Sequence, residues 1–182
     1  VKDLTKFNKI LENDFFKKKI NFTFNSSLEA QIASISDDIA YNSHDLEDGL
    51  KSNLFDLNHL TNIPVLNKIV SKHTKKLKRY SIDLIIRQII REIINEMVSD
   101  VISTTKKNLR LYKIKNLNDI YRAKTQLVKF SKKMQKFDKE IKSFLKSKMY
   151  LHKNVNSKTS YGRKVITKLF LQIKKNPKKY IN

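Results

Sequence analysis

The sequence contains few of the residues that interrupt helices, with two glycines and two prolines in 182 positions. β-Sandwiches, barrels and glycine-rich phosphate loops need many turns, and those turns depend on glycine, proline and other turn-forming residues. So few chain breakers favour helices throughout. We therefore predict an all-α protein, with at most a short extended segment near residues 20–24, where apolar and polar residues alternate.

Apolar periodicity predicts where the main helices lie. Isoleucine and other apolar residues recur at three- and four-residue spacing over residues 81–111, which indicates a long central helix. Further helices are predicted over residues 119–175, one of them capped by Ser131. We expect residues 1–182 to form a single partial domain.

A second well-marked helix is predicted over residues 26–50. Ser26 stands at its start as an N-cap, and Glu29 follows three residues later, which is the spacing of a capping box. Gly49 offers a stop near its C-terminal end, because glycine is the residue that most often ends a helix.

The absence of cysteine excludes disulfides, cysteine-based zinc sites and thiol nucleophiles. No apolar run approaches the roughly 18–20 residues that a membrane-spanning helix needs, and the N-terminus has no signal-peptide pattern. These features predict a cytoplasmic protein without a membrane partner.

Charge is large and unevenly distributed. The chain has 39 Lys and Arg residues against 17 Asp and Glu, a formal net charge of +22, which suits a surface for nucleic acid or polyphosphate. A solvated, lysine-rich surface explains the same excess, and the sequence leaves both interpretations open. Residues 29–56 are the exception, since they hold seven acids and a single base, Lys51.

The acidic segment places Asp37, Tyr41 and Asp45 four residues apart, and therefore on one face of the predicted helix, opposite its apolar stripe. Such a face suits a metal and a sugar. Asp37 would provide a hard oxygen ligand for a divalent cation, Tyr41 a packing surface, and Asp45 an acceptor for a ligand hydroxyl. A carboxylate-rich face that is simply solvated is the alternative.

The residues around these three extend the pattern. Residues 27–33 (SLEAQIA) and 37–49 (DDIAYNSHDLEDG) resemble the signature helix of deoxynucleotide triphosphohydrolases, the dGTPase-like members of the HD superfamily. Weaker matches follow in the same order at residues 97–102 (MVSDVI), 130–131 (FS) and 149–152 (MYLH). The resemblance covers most of residues 20–175.

This resemblance implies a helical, metal-dependent hydrolase that cleaves a deoxynucleoside triphosphate to the deoxynucleoside and triphosphate. Family members hold a divalent cation (Mg²⁺ or Mn²⁺) with an early His, a later His-Asp pair and a final Asp. Asp37 is similar in position to the final Asp. By the same resemblance, Tyr41 would line the nucleotide pocket, and Asp45 with Tyr41 would face the deoxyribose and help to exclude a ribose.

The family's earlier ligands have no counterpart in this sequence. The pair His44-Asp45 follows Asp37 within the signature helix, so we do not count it as the metal-binding pair. The remaining histidines, at positions 59, 73 and 152, are predicted to be surface residues.

The chain thus resembles the C-terminal portion of the family. We expect it to be inactive alone and to need an N-terminal fragment or further copies of itself as partners. A non-catalytic, basic helical module that binds nucleic acid and a decayed remnant are the alternatives.

Overall fold

A computed structural model describes residues 25–75 and 79–180. All regular structure in these residues is helical, which confirms the all-α prediction. The segment near residues 20–24 lies outside the described residues. The helices are α1 (Leu28–Lys51), α2 (Leu57–Leu60), α3 (Pro64–Thr74), α4 (Ile82–Leu111), α5 (Leu117–Arg122), α6 (Lys132–Leu145) and α7 (Lys153–Lys175), with a π-helical turn at Lys146–Tyr150 and a 3-10 turn at Pro177–Lys179.

The start of α1 differs by one residue from the prediction. The Ser27 hydroxyl accepts a hydrogen bond from the Ala30 backbone N–H at 3.3 Å, so Ser27 is the N-cap. Ser26 was predicted for this position, but its backbone carbonyl instead accepts from Gln31 Nε2 at 2.8 Å. Hydrogen bonds from its own backbone and from Ser27 lower the pKa of Glu29. Both serines therefore organise the first turn, in different ways.

The end of α1 also corrects the prediction, because Gly49 lies inside the helix and does not stop it. Asn53 adopts a left-handed backbone conformation (φ 53°), and the Leu54 N–H donates to the Gly49 carbonyl at 3.0 Å. The Asn53 N–H donates to the Leu50 carbonyl at 3.2 Å, which completes a Schellman motif.

Gly49 is needed for packing. A Cβ atom at this position would lie 2.2 Å from the Phe55 ring, so only glycine lets that ring rest on α1. The Phe55 ring in turn meets the ring of Phe144 edge to face, with centroids 4.8 Å apart. The connection after α1 is thus anchored between α1 and α6.

The chain divides into two compact units. The described part of the first unit consists of residues 25–36 and 101–129. Side-chain amides hold it together, since the buried Gln31 accepts from the Leu127 and Val128 N–H groups at 2.9 and 3.1 Å. Asn108, also buried, donates to the Leu127 carbonyl at 2.8 Å.

The second unit contains residues 37–100 and 130–182, apart from those outside the described ranges. Within it, α4 is largely buried along one face. Its buried apolar side chains are Ile85, Ile86, Ile89, Ile90, Ile93 and Met97, and α1, α3 and α6 also contribute fully buried side chains to this unit, among them Leu46, Leu66 and Phe137.

Ser131 caps α6, as predicted from the sequence. Its hydroxyl accepts from the Met134 N–H at 3.3 Å, and it donates to Asp100 Oδ1 at 2.6 Å. The Ser131 backbone N–H donates to the other Asp100 oxygen at 2.8 Å. Asp100 on α4 therefore fixes the start of α6.

His73 is buried, so its predicted position at the surface is wrong. It lies on the inner side of α3, where its Nε2 atom is 2.5 Å from the Glu92 carboxylate on α4. Lys72 donates to the same carboxylate at 2.8 Å. These contacts hold the pKa of Glu92 below its ordinary value, with the hydrogen bond from Lys72 as the largest cause.

Among the described helices, none is both long and apolar enough to cross a membrane.

Candidate functional site

The three residues predicted for the site lie along one side of α1, within the second unit. Asp37 and Tyr41 are both exposed, Tyr41 to 62%. Asp45, one turn further along, is half-buried. The core-facing side of the same helix carries Ile39 and Leu46, as the amphipathic pattern requires.

Asp45 is held in place by Tyr150. The Tyr150 hydroxyl donates a hydrogen bond to the Asp45 carboxylate, across 105 positions of sequence. Burial, the hydrogen bond to Asp45 and the charge of Asp45 raise the pKa of Tyr150 well above its ordinary range, and Tyr41 adds to the effect. The raised pKa keeps the hydroxyl protonated, and donating to Asp45, further into the alkaline range.

Tyr150 was not assigned a site role from the sequence. It is the last residue of the π-helical turn that continues α6, and a π turn shifts the direction of the side chains that follow it. Apolar periodicity does not reveal such a turn. The sequence did offer one indication, because residues 149–152, which resemble the dGTPase-like family, include this tyrosine.

A second polar cluster lies next to the site and joins α1 to α6. Asn42 Nδ2 donates to Asp138 Oδ1 at 2.8 Å, and Lys142 Nζ lies 3.0 Å from Asp138 Oδ2 and 3.4 Å from Asp38 Oδ1. Burial lowers the pKa of Lys142, but the two carboxylates more than offset it and the net shift is upward. Asp38 and Asn42 are thus engaged in packing, whereas Asp37 and Tyr41 face solvent.

The described residues do not by themselves provide a divalent-metal site. Nowhere in residues 25–75 and 79–180 do three or more His, Asp or Glu side chains cluster in a way that would hold a metal ion. His73 is engaged with Glu92, and His59 lies 2.8 Å from Asp56. Among the described residues, Asp37 does not belong to a cluster of metal ligands. One carboxylate is too few to hold a cation that takes six or more ligands.

Comparison with known proteins shows which proteins the chain is similar to. A family model described as a phosphohydrolase-associated domain matches residues 128–181. A deoxyguanosinetriphosphate triphosphohydrolase-like protein of Pelagibacter ubique is 46% identical over 182 residues, which is all of this chain and 49% of that protein. The chain is homologous to the C-terminal part of the dGTPase-like proteins.

Further dGTPase-like relatives show the same partial coverage. The protein of Bartonella tribocorum is 35% identical over 157 residues, which is 84% of this chain and 38% of that protein. The protein of Rickettsia rickettsii is 32% identical over 145 residues, which is 80% of this chain and 38% of that protein. The chain therefore spans about half, or less, of the length of the dGTPase-like proteins it matches.

The dGTPase-like match with the Pelagibacter protein includes every residue of the candidate site. It covers the α1 face with Asp37, Tyr41 and Asp45, and it covers Tyr150, which the phosphohydrolase-associated match also contains. The site geometry and the similarity therefore concern the same part of the chain.

Proposed function

We propose that this chain is the nucleotide-facing portion of a deoxynucleoside triphosphate triphosphohydrolase. The complete enzyme would cleave a deoxynucleoside triphosphate, such as dGTP, to the deoxynucleoside and triphosphate. The observation that carries the proposal is the face of α1, where an open tyrosine stands beside a carboxylate fixed by a second tyrosine. Homology to dGTPase-like proteins over the whole chain supports it.

Asp45 and Tyr41 are proposed to bind the sugar. A carboxylate repels phosphate but accepts a hydrogen bond from a hydroxyl, so Asp45 suits the deoxyribose better than the triphosphate. Because Tyr150 holds one side of Asp45, the carboxylate is fixed in one orientation before the sugar arrives. The ring of Tyr41 would then pack beside the sugar and leave no room for the 2′-hydroxyl of a ribose.

Asp37 is proposed as one ligand of a divalent cation, Mg²⁺ or Mn²⁺, that the complete enzyme binds. Its carboxylate is exposed and lies two turns from Asp45 on the same face of α1. The other ligands would come from the part of the dGTPase-like relatives that this chain does not span, or from another subunit. The chain alone is accordingly expected to release no triphosphate.

The test combines this chain with the N-terminal part of the Pelagibacter relative, produced separately, and measures triphosphate release from dGTP and GTP with Mg²⁺ or Mn²⁺. We expect activity on dGTP that Asp37→Ala abolishes and Asp45→Asn weakens. Asp83→Asn, which removes an exposed carboxylate on α4, is the matched control and should leave activity unchanged. Full activity of the Asp37→Ala variant would overturn the proposed metal ligand.

A second candidate function, nucleic-acid binding, is favoured by the composition of α7. This 23-residue helix carries seven Lys and Arg residues and no Asp or Glu. Binding through such a surface depends on counterion release and falls steeply with salt. Duplex DNA that bound the chain with a steep salt dependence, together with a mixture inactive on dGTP, would favour this alternative.

A further inference from the structure

Helix α7 has an apolar face that the rest of the described chain leaves uncovered. None of its 23 residues, all of which the structure describes, is buried. Its main contacts are with the turns that precede and follow it. The uncovered face carries Tyr161, Val165, Ile166, Leu169 and Phe170, of which Tyr161, Ile166 and Phe170 are 72%, 69% and 63% exposed.

The two sides of α7 differ in chemistry, with one exception: Leu171, which is 57% exposed, lies on the side that carries the basic residues. On a helical projection the five apolar residues fall within one half of the circumference, and Arg163, Lys164 and Lys168 occupy the other half. Burying apolar surface is worth about 25 cal/mol per Å². An exposed apolar face of this kind is typical of a surface that binds another molecule or domain.

Gly162 lies on the same side of α7 as the apolar residues, near the N-terminal end of the face. A Cβ atom built there would meet no atom of the described chain within 4 Å, so no described neighbour requires glycine. Glycine within a helix costs about 1 kcal/mol relative to alanine. A glycine at this position suits the close approach of a partner's backbone, which a side chain would prevent.

We propose that this face of α7, defined by Tyr161, Gly162, Val165, Ile166, Leu169 and Phe170, docks against the part of the phosphohydrolase that this chain does not span. The helix lies wholly within the match to a phosphohydrolase-associated domain, residues 128–181. The Pelagibacter relative is about twice as long as the matched region. The inference rests on the proposed function, because it names the surface through which the site would be completed.

Other occupants fit the observations less well. A second copy of the chain would bring two bodies of net charge +22 together, which opposes association. A lipid surface adapts to any apolar side chain and gives no reason for a glycine on this face. A folded domain with a fixed surface accounts for both the apolar face and Gly162.

The test measures binding of this chain to the N-terminal part of the Pelagibacter relative by titration calorimetry. Gly162→Leu enlarges the apolar face without a clash inside the described chain, and it is expected to weaken binding at least 10-fold. Thr167→Leu makes a similar change on the opposite side of α7 and should leave the affinity unchanged. Circular dichroism of both variants checks that helix content is retained.

Each outcome bears on the docking proposal. Equal affinity of the wild-type chain and the Gly162→Leu variant, or the absence of binding, would overturn it. Concentration-dependent dimers that Gly162→Leu disrupts would assign the face to a second copy instead. Binding to phosphatidylglycerol vesicles that Gly162→Leu strengthens would assign it to a lipid surface.

The docking proposal and the proposed function can be tested independently, because binding and triphosphate release are measured separately. Binding that depends on Gly162 without triphosphate release would support docking and contradict the function. The Asp37→Ala variant is expected to lose triphosphate release while its affinity for the N-terminal part stays the same.

Discussion

At the scale of single residues, the candidate site depends on the hydroxyl of Tyr150. It fixes the Asp45 carboxylate from outside α1, so the orientation of Asp45 is set by a residue of a different element. The raised pKa of Tyr150 has a consequence for stability. A group whose pKa is raised by folding stabilises the fold below its ordinary pKa, here 10.0, and loses that contribution as the pH rises through the folded value.

We predict that Tyr150→Phe removes a late step from the alkaline titration of the seven tyrosines. In the wild type, ultraviolet absorbance of tyrosinate should show a late component from Tyr150, whose pKa is raised. The variant should lack this component, and its unfolding in urea should lose less stability above about pH 10. Tyr161→Phe, which removes an exposed tyrosine of α7, should keep the late step; its loss there would contradict the assignment.

Gly49 gives a second prediction at this scale. Gly49→Ala places a methyl group where the Phe55 ring now lies, with a built distance of 2.2 Å. The ring must shift from its packed position, so we expect the free energy of unfolding to fall by about 1–3 kcal/mol. Gly162→Ala is the matched control, because its Cβ enters open space, and urea denaturation should show no loss of stability. Equal effects of the two substitutions would contradict this account.

At the scale of elements, helices α1 and α4 are each followed by a residue other than glycine whose backbone adopts the left-handed conformation. Asn53 ends α1, and Lys113 (φ 52°) ends α4 with the Ile114 N–H bonded to the Leu109 carbonyl at 3.0 Å. Asparagine tolerates this conformation, whereas in lysine it brings the Cβ atom too close to the backbone carbonyl oxygen and strains the chain. The end of α4 is therefore a point where the sequence is not optimal.

Lys113→Gly is expected to stabilise the protein by about 0.5–1 kcal/mol, since glycine adopts the left-handed conformation without strain. Thermal unfolding followed by circular dichroism measures the effect. Lys115→Gly, two residues later and without a positive φ, should not stabilise. If Lys113→Gly destabilised the protein, the lysine side chain would have to make stabilising contacts that outweigh the strain of its backbone conformation.

The junction of α4 with α6 gives the next prediction. Ser131→Ala removes the cap of α6 and one hydrogen bond to Asp100, and we expect a loss of about 1–2 kcal/mol in the free energy of unfolding. Ser131→Thr keeps both functions of the hydroxyl and should recover most of the loss. Ser99→Ala, at an exposed position of α4, should stay close to wild type in the same urea experiment.

The sequence predicts the elements that periodicity and capping control. The bounds expected for the long helix, residues 81–111, are within one residue of α4, because isoleucines at helical spacing and a start at Ser81 mark it clearly. The sequence could not predict burial of His73, since the contact with Glu92 joins residues 19 positions apart. It also missed the link between Asp45 and Tyr150, which depends on a π turn that no periodic pattern reveals.

At the scale of the whole molecule, the chain carries one part of a proposed active site and, on α7, an apolar face that the described residues leave uncovered and that we propose as a docking surface. The α1 face holds the groups proposed for the sugar and a single metal ligand, and the described residues hold no cluster that would bind the metal by itself. The relatives extend over about twice this length. The central claim is therefore that catalysis needs both this chain and the part of the family that it does not span.

The most direct test is triphosphate release from dGTP with Mn²⁺, measured for the purified chain alone, for the N-terminal part of the Pelagibacter relative alone, and for the two mixed. We expect activity in the mixture only, and its loss when the chain carries Asp37→Ala. Metal-dependent release by the chain alone would contradict the claim that its site is incomplete. An inactive mixture of bound partners would contradict the proposed function.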